Sequence, residues 1–121
     1  MTALMPNGPP DRLRSVATAI AQVATTTNDA AVLVTIDYFE TGFERRGIPF
    51  GLVSWRHRIA GRPLAECAQA ALDMLRRARR CSDDVELYLG WYHTGRCEAD
   101  SYSRRQAVVY AQSRAIIARR H

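Results

Sequence analysis

Two short segments rich in apolar residues, one with apolar side chains in steps of two and one apolar almost throughout, constrain the fold more than any other feature. Residues 85–92 carry Val, Leu, Leu and Trp at the odd-numbered positions. Residues 31–39 are largely apolar at odd and even positions alike. Because successive side chains of a strand point to opposite faces, we predict strands over both segments, with 31–39 covered on both sides.

A third strand is predicted over residues 49–59. Val53 and Trp55 share one side of this strand, while Arg56 and Arg58 lie on the other. The short polar connection 40–47 contains a Thr-Gly turn signal. It favours an antiparallel hairpin between 31–39 and 49–59.

Helical spacing marks three other segments. One runs over residues 11–24, a second begins near Pro63, and the last begins at a capping box of Ser103 and Gln106. The order α-β-β-α-β-α predicts an α+β fold: a single mixed α/β domain over 11–121, with helices packed on a small mixed sheet of three to four strands. Residues 1–10 contain three prolines, so we expect a flexible leader there.

The charge of the chain indicates the kind of partner it meets. All 17 cationic side chains are arginines, and the net charge is +5. A guanidinium pairs bidentately with phosphates and carboxylates. We therefore expect a small non-enzymatic binding protein, an adaptor or inhibitor, that engages nucleic acid or an acidic protein complex. The alternative is that codon bias replaced lysine and that these side chains are merely solvated.

The expected partner-binding residues share a basic or aromatic side chain on a predicted strand or helix. They are Arg56, Arg58, Arg76, Arg77, Arg79, Arg80, Tyr88, Tyr92, Arg104 and Arg105. On an open sheet face, arginine beside tyrosine is a stacking platform for single-stranded nucleic acid. The alternative is that the arginines pair with Glu86 across strands, or that a helix covers this face.

The last helix carries a wide apolar face. Such a face is typical of a helix enclosed in the core or of an oligomer contact. A symmetric homodimer would use Val108, Val109, Ile116 and Ile117.

A metal-dependent nuclease is the alternative function. Residues 32–37 end in Asp37 and precede a Thr-Gly turn, and they resemble the first strand of RNase H-like nucleases, which ends in a catalytic aspartate. The resemblance implies Asp37 as the catalytic aspartate, and Asp37, Glu40 and Glu86 are the carboxylates near the ends of the predicted strands that would hold Mg²⁺. The chain has Gly90 or Trp91 where the family carries a second carboxylate near the end of its fourth strand.

Three cysteines at irregular spacing predict free thiols in a reducing, cytoplasmic compartment. No cofactor is expected. His93, Cys97 and Asp100 form a weak alternative as a zinc site, since paired Cys-x-x-Cys spacing is missing. No apolar run approaches the length that spans a bilayer, so we expect no membrane association.

Overall fold

The computed structural model describes residues 10–41, 50 and 61–119, with side chains described for 14–39, 50 and 61–119. This part of the chain forms five helices. They are α1 (Pro10–Val23), α2 (Thr27–Thr41), α3 (Leu64–Ala78), α4 (Val85–Thr94) and α5 (Ser101–Arg119). No strand occurs among these residues, so the predicted α+β fold with its small sheet is wrong.

The predicted strand 31–39 lies within α2. Residues 31–37 are all buried, because α2 contacts α1, α3 and α5. A helix enclosed on several sides is apolar around most of its circumference. A short apolar run of this kind has no period that separates a buried helix from a buried strand.

The predicted strand 85–92 lies within α4, and the signals for this helix are at its ends. The Asp84 side chain accepts a hydrogen bond from the Glu86 N–H at 2.9 Å. At the other end Gly95 adopts the left-handed conformation at φ 81°, and its N–H donates to the Trp91 carbonyl. An N-cap aspartate and a C-terminal glycine are typical of helix termini.

The predictions for the other three helices are confirmed at the level of the element. Pro10 begins α1, and residues 1–9 lie outside the described part, as does the predicted strand 49–59 apart from Phe50. The predicted capping box of Ser103 and Gln106 is wrong, because both residues are buried inside α5. The cap is Asp100.

Asp100 and Ser103 form a reciprocal cap at the start of α5. The Ser103 N–H donates to Asp100 Oδ1 at 2.7 Å, and the Asp100 N–H donates to Ser103 Oγ at 2.9 Å. The hydrogen bond from the Ser103 backbone is the main cause that lowers the pKa of Asp100 below its usual value. This cap fixes where α5 begins.

The core lies where α1, α2 and α3 meet. α2 packs most extensively against α5, and α1 packs against α3. α4 contacts both α3 and α5. Val16 and Ile20 of α1, Leu33 of α2, and Leu72 and Leu75 of α3 are all buried in this core. None of the described helices is long and apolar enough to cross a membrane.

Candidate partner-binding surface

Helix α5 buries polar side chains and exposes an apolar one. Ser103, Gln106 and Ser113 are buried, and within the described part neither Gln106 Oε1 nor Ser113 Oγ has a hydrogen-bond partner. Val108 is 58% exposed, and it is the one large hydrophobic side chain exposed among the described residues. This distribution reverses the usual pattern of a surface helix.

Five of the exposed residues of α5 follow a nearly straight line along the helix. Arg104, Val108, Ala111, Ala115 and Ala118 are separated by steps of four, three, four and three, and all are exposed. We call this set the α5 strip. With a rise of 1.5 Å per residue the strip is about 21 Å long, which is the contact length of a partner helix of roughly four turns.

Arginines border the strip on both sides. At 100° per residue, Arg105 and Arg119 lie on one flank and Arg114 on the other, and all three are exposed. The sequence of α5 contains neither aspartate nor glutamate. Beyond Arg104 the strip is therefore a narrow apolar seam along a helix whose charged side chains are all arginines.

The arginines at the start of α5 have local partners. Arg104 Nε lies 3.6 Å from Glu86 Oε1, with both side chains substantially exposed. The Arg105 guanidinium carbon lies 5.8 Å from the centre of the Tyr102 ring. Exposed pairs of this kind contribute about 0–1 kcal/mol to stability. They orient the two arginines, and a carboxylate of a partner can replace them at little cost in free energy.

Arg79 and Tyr88, which we expected at a partner-binding surface, belong to an internal polar cluster. Asp29 is buried at the start of α2, and Arg79 Nη1 lies 4.0 Å from its Oδ1. The Arg79 guanidinium carbon is 5.4 Å from the centre of the Tyr88 ring. Burial raises the pKa of Tyr88 to about 12. The cluster joins α2, α3 and α4 and leaves no surface for a partner at Tyr88.

The remaining expected binding residues are not brought together with the α5 strip by any described contact. Arg76, Arg77 and Arg80 are exposed at the end of α3, and Arg76 Nη1 lies 3.7 Å from Asp73 Oδ1. The Tyr92 hydroxyl donates to the Phe50 carbonyl at 2.5 Å. Arg56 and Arg58 lie outside the described residues.

Two of the expected nuclease carboxylates, Asp37 and Glu86, occupy separate environments. Asp37 is fully buried in α2, where its Oδ1 accepts a hydrogen bond from the Phe50 N–H at 3.3 Å. Glu86 lies in the first turn of α4 beside Arg104, and Glu40 lies in the last turn of α2 with its side chain outside the described part. The resemblance to RNase H-like nucleases depended on a first strand, and α2 takes the place of that strand.

Two of the three cysteines form a disulfide. Cys81 and Cys97 are bonded with a Cα–Cα distance of 5.8 Å, whereas Cys67 is free and buried. The expectation of free thiols is therefore wrong for Cys81 and Cys97. Disulfides persist in oxidising compartments. The cysteines therefore no longer support the expected cytoplasmic location, which stays a prediction.

The three residues of the weak zinc alternative are placed close in sequence but have other partners. The Cys97 sulfur is bonded to Cys81, the His93 ring stacks on Tyr102 with centroids 4.5 Å apart, and Asp100 caps α5. Throughout 14–39, 50 and 61–119, no three His, Cys, Asp or Glu side chains gather as a metal site would require.

Comparison of the chain with protein-family models, with curated proteins and with solved structures gives no match. The geometry of α5 therefore carries the functional interpretation. Sequence reasoning missed Ala111, Ala115, Ala118 and Arg114 as surface residues. In the sequence these alanines are marked only by their spacing at steps of three and four, and this spacing is equally typical of a buried stripe.

Proposed function

We propose that this chain is a non-enzymatic binding protein and that the α5 strip docks an acidic amphipathic helix of a partner protein. The observation that carries the proposal is Val108, exposed among alanines on a helix without a single carboxylate. Small side chains let a partner helix approach closely, since the interaxial distance depends on the residues at the contact. Arg105, Arg114 and Arg119 then lie opposite acidic residues that flank the partner's apolar seam.

A protein helix suits the strip better than nucleic acid does. Phosphates would pair with the arginines, but they would gain nothing from Val108 and the three alanines between them. Single-stranded nucleic acid binds through stacking on aromatic side chains, and none lies in the strip. The apolar seam therefore favours a partner that has an apolar seam of its own.

A homodimer through the last helix is a weaker proposal on the same surface. A two-fold contact would set α5 against α5, so arginines would face arginines with no carboxylate from either helix. Val109, Ile116 and Ile117 are also half-buried against the rest of the chain, which leaves Val108 alone of the four expected contact residues fully available.

The affinity of such a contact comes chiefly from burying Val108, and its orientation and association rate come from the arginines. Burial of a valine side chain stabilises by roughly 1.5 kcal/mol or more. Each exposed ion pair adds about 0–1 kcal/mol and weakens with salt. We expect a salt-dependent association that is lost when the apolar seam is interrupted.

The test is a fluorescence anisotropy titration with a labelled helical peptide that has leucine at its seam and glutamate on both flanks. A matched peptide with lysine in place of glutamate is the control. We expect only the glutamate peptide to bind. Val108→Asp should weaken binding about tenfold or more and Arg114→Glu about two- to fivefold, whereas Arg62→Glu, at an exposed site before α3, should leave it unchanged.

Three results would refute the proposal. The first is equal binding of the two peptides. The second is binding of the glutamate peptide that Val108→Asp does not affect. The third is binding of single-stranded RNA or DNA in preference to the peptide, which would favour a nucleic-acid partner instead. Cleavage of that strand in the presence of Mg²⁺ would favour the nuclease alternative.

A further inference from the structure

The Cys81–Cys97 disulfide encloses the whole of α4. Cys81 follows the end of α3, and Cys97 lies in the loop between α4 and α5, 16 residues further along the chain. Cys97 is exposed and Cys81 is half-buried. Exposure gives a thiol reductant direct access to Cys97, because thiol–disulfide exchange depends on access to the sulfur that is attacked.

The loop that carries Cys97 is built from contacts on both sides of it. On the α4 side, the Arg96 N–H donates to Thr94 Oγ1 at 3.1 Å, and the Glu98 carbonyl lies directly against Gly90. On the α5 side, Asp100 accepts hydrogen bonds from two amides of the first turn. Cys97 is thus three residues from the cap of the helix that bears the α5 strip.

We propose that the Cys81–Cys97 disulfide is a redox-controlled latch on the first turn of α5. With the disulfide formed, residues 95–100 are held against α4 and Asp100 stays in its capping position. Reduction releases this loop, the cap at Ser103 loosens, and the first turn of α5 frays. The part of this inference that concerns partner binding rests on the proposed function, because Arg104 and Arg105 lie in that turn.

The reductant is a dithiol. Its first thiolate attacks Sγ of Cys97, the bond between the two cysteine sulfurs breaks, and Sγ of Cys81 leaves as a thiolate that takes up a proton. The second thiol of the reductant then displaces Cys97, which is also protonated, and closes the disulfide of the reductant. Two electrons and two protons pass from the reductant to the chain.

Amide hydrogen exchange of the oxidised and dithiothreitol-reduced protein tests the latch. The Ser103 and Arg104 amides donate to Asp100 at 2.7 and 3.0 Å, so they report on the cap. We expect their exchange to accelerate about fivefold or more on reduction, while amides in the centre of α3 keep their rates. The double variant Cys81→Ser/Cys97→Ser should match the reduced protein without any reductant.

Two variants separate the latch from a general loss of stability. Asp100→Ala removes the side-chain acceptor of the Ser103 amide with the disulfide intact and should accelerate exchange of that amide, while the Arg104 amide keeps the backbone carbonyl of residue 100 as its acceptor. Cys67→Ser removes the buried thiol and should leave the response to dithiothreitol unchanged. Unchanged exchange at Ser103 and Arg104 after reduction would overturn the latch, and so would equal acceleration throughout α1 and α3.

Binding of the glutamate-flanked peptide distinguishes failure of the latch from failure of the proposed function. We expect reduction of the disulfide to weaken binding of this peptide several-fold. If the oxidised protein does not bind the peptide at all, the proposed function fails and the exchange rates alone decide the latch. If the peptide binds equally to both forms while the two amides accelerate, the latch does not regulate the strip and the inference is wrong in that part.

Discussion

Gly90→Ala tests how tightly the loop before α5 is held against α4. A Cβ atom at position 90 would lie 1.8 Å from the Glu98 carbonyl oxygen and 3.0 Å from its carbon. Both are backbone atoms, so no side-chain rotation relieves the clash. The loop must move away by more than 1 Å or α4 must shift, since non-bonded carbon and oxygen atoms approach to only about 3.3 Å.

The magnitude follows from two opposing effects. Alanine in place of glycine within a helix stabilises by up to about 1 kcal/mol. Forcing an extra methyl group into a closed contact costs about 1–3 kcal/mol, and occasionally more. Cys97 and Asp100 hold the loop on either side of Glu98, so the strained contact cannot relax freely. Because the contacted atoms are backbone, we take the upper end of that cost, and subtracting the helical gain leaves a net destabilisation of about 2 kcal/mol, or a Tm lower by roughly 5–15 °C.

Thermal and urea unfolding followed by far-UV circular dichroism measure the change, with Gly95→Ala as the control. Gly95 has open space around it but φ +81°, so alanine there meets strain of about 1–2 kcal/mol without a clash. Reduction of the disulfide should lessen the penalty at position 90 more than the penalty at position 95, since the Gly95 N–H is bonded to the Trp91 carbonyl of α4 itself. A Gly90→Ala protein as stable as the parent would refute the packing of Glu98 on α4.

Three further predictions concern the internal polar cluster and the α5 strip. Arg79→Met should lower the free energy of unfolding, measured with urea, by about 1–3 kcal/mol because it leaves the buried Asp29 carboxylate without its cation. The control Arg80→Met, at an exposed site, should change this free energy by less than about 0.5 kcal/mol. Tyr88 has its pKa raised from 10.0 to about 12, so its neutral form stabilises the fold fully below pH 10 and this contribution, about 2–3 kcal/mol, is lost between about pH 10 and 12. Tyr88→Phe should remove that step from a plot of urea midpoint against pH, and an unchanged step would contradict the assignment. Val108→Asp should leave Tm within about 2 °C of the parent, since the side chain is exposed, and a larger fall would show that Val108 supports the fold.

Three of the five described helices could be predicted from the sequence because each has apolar residues at helical spacing. In α3, for example, Cys67, Leu72 and Leu75 lie on one buried stripe and Pro63 stands before the first turn. The exposed face of such a helix is polar, so the period of the pattern is visible. This is the condition under which sequence patterns identify helices.

Helices α2 and α4 could not be identified from apolar spacing. All seven residues from 31 to 37 are buried, so this stretch of α2 has no exposed side that would mark a helical period. Helix α4 is too short for its apolar spacing to differ clearly from that of a strand. The discriminating signals were the caps. The Asp29 N–H donates to Thr26 Oγ1 at 3.0 Å, and Asp84 and Gly95 delimit α4. Local hydrogen bonding therefore decided what hydrophobic spacing left open.

The disulfide and the α5 strip were beyond sequence reasoning for a different reason. The pairing of Cys81 with Cys97 depends on the path of α4 between them, and cysteine spacing alone does not determine it. The exposed side of α5 depends on which of its sides contacts α2. The apolar residues of α5 extend around much of the helix, so its sequence allows either orientation.

The orientation of α5 separates what the fold needs from what a partner needs. Within the fold α5 buries Ser103, Gln106 and Ser113, while Val109 and Ile116 are only half-buried. The fold therefore gains little from Val108 and from the alanines in line with it. Substitutions along the strip should change binding with little change in stability, whereas substitutions at Gly90 or Arg79 should change stability. A Val108→Asp protein that melts like the parent and no longer binds the glutamate peptide would show that the strip serves a partner.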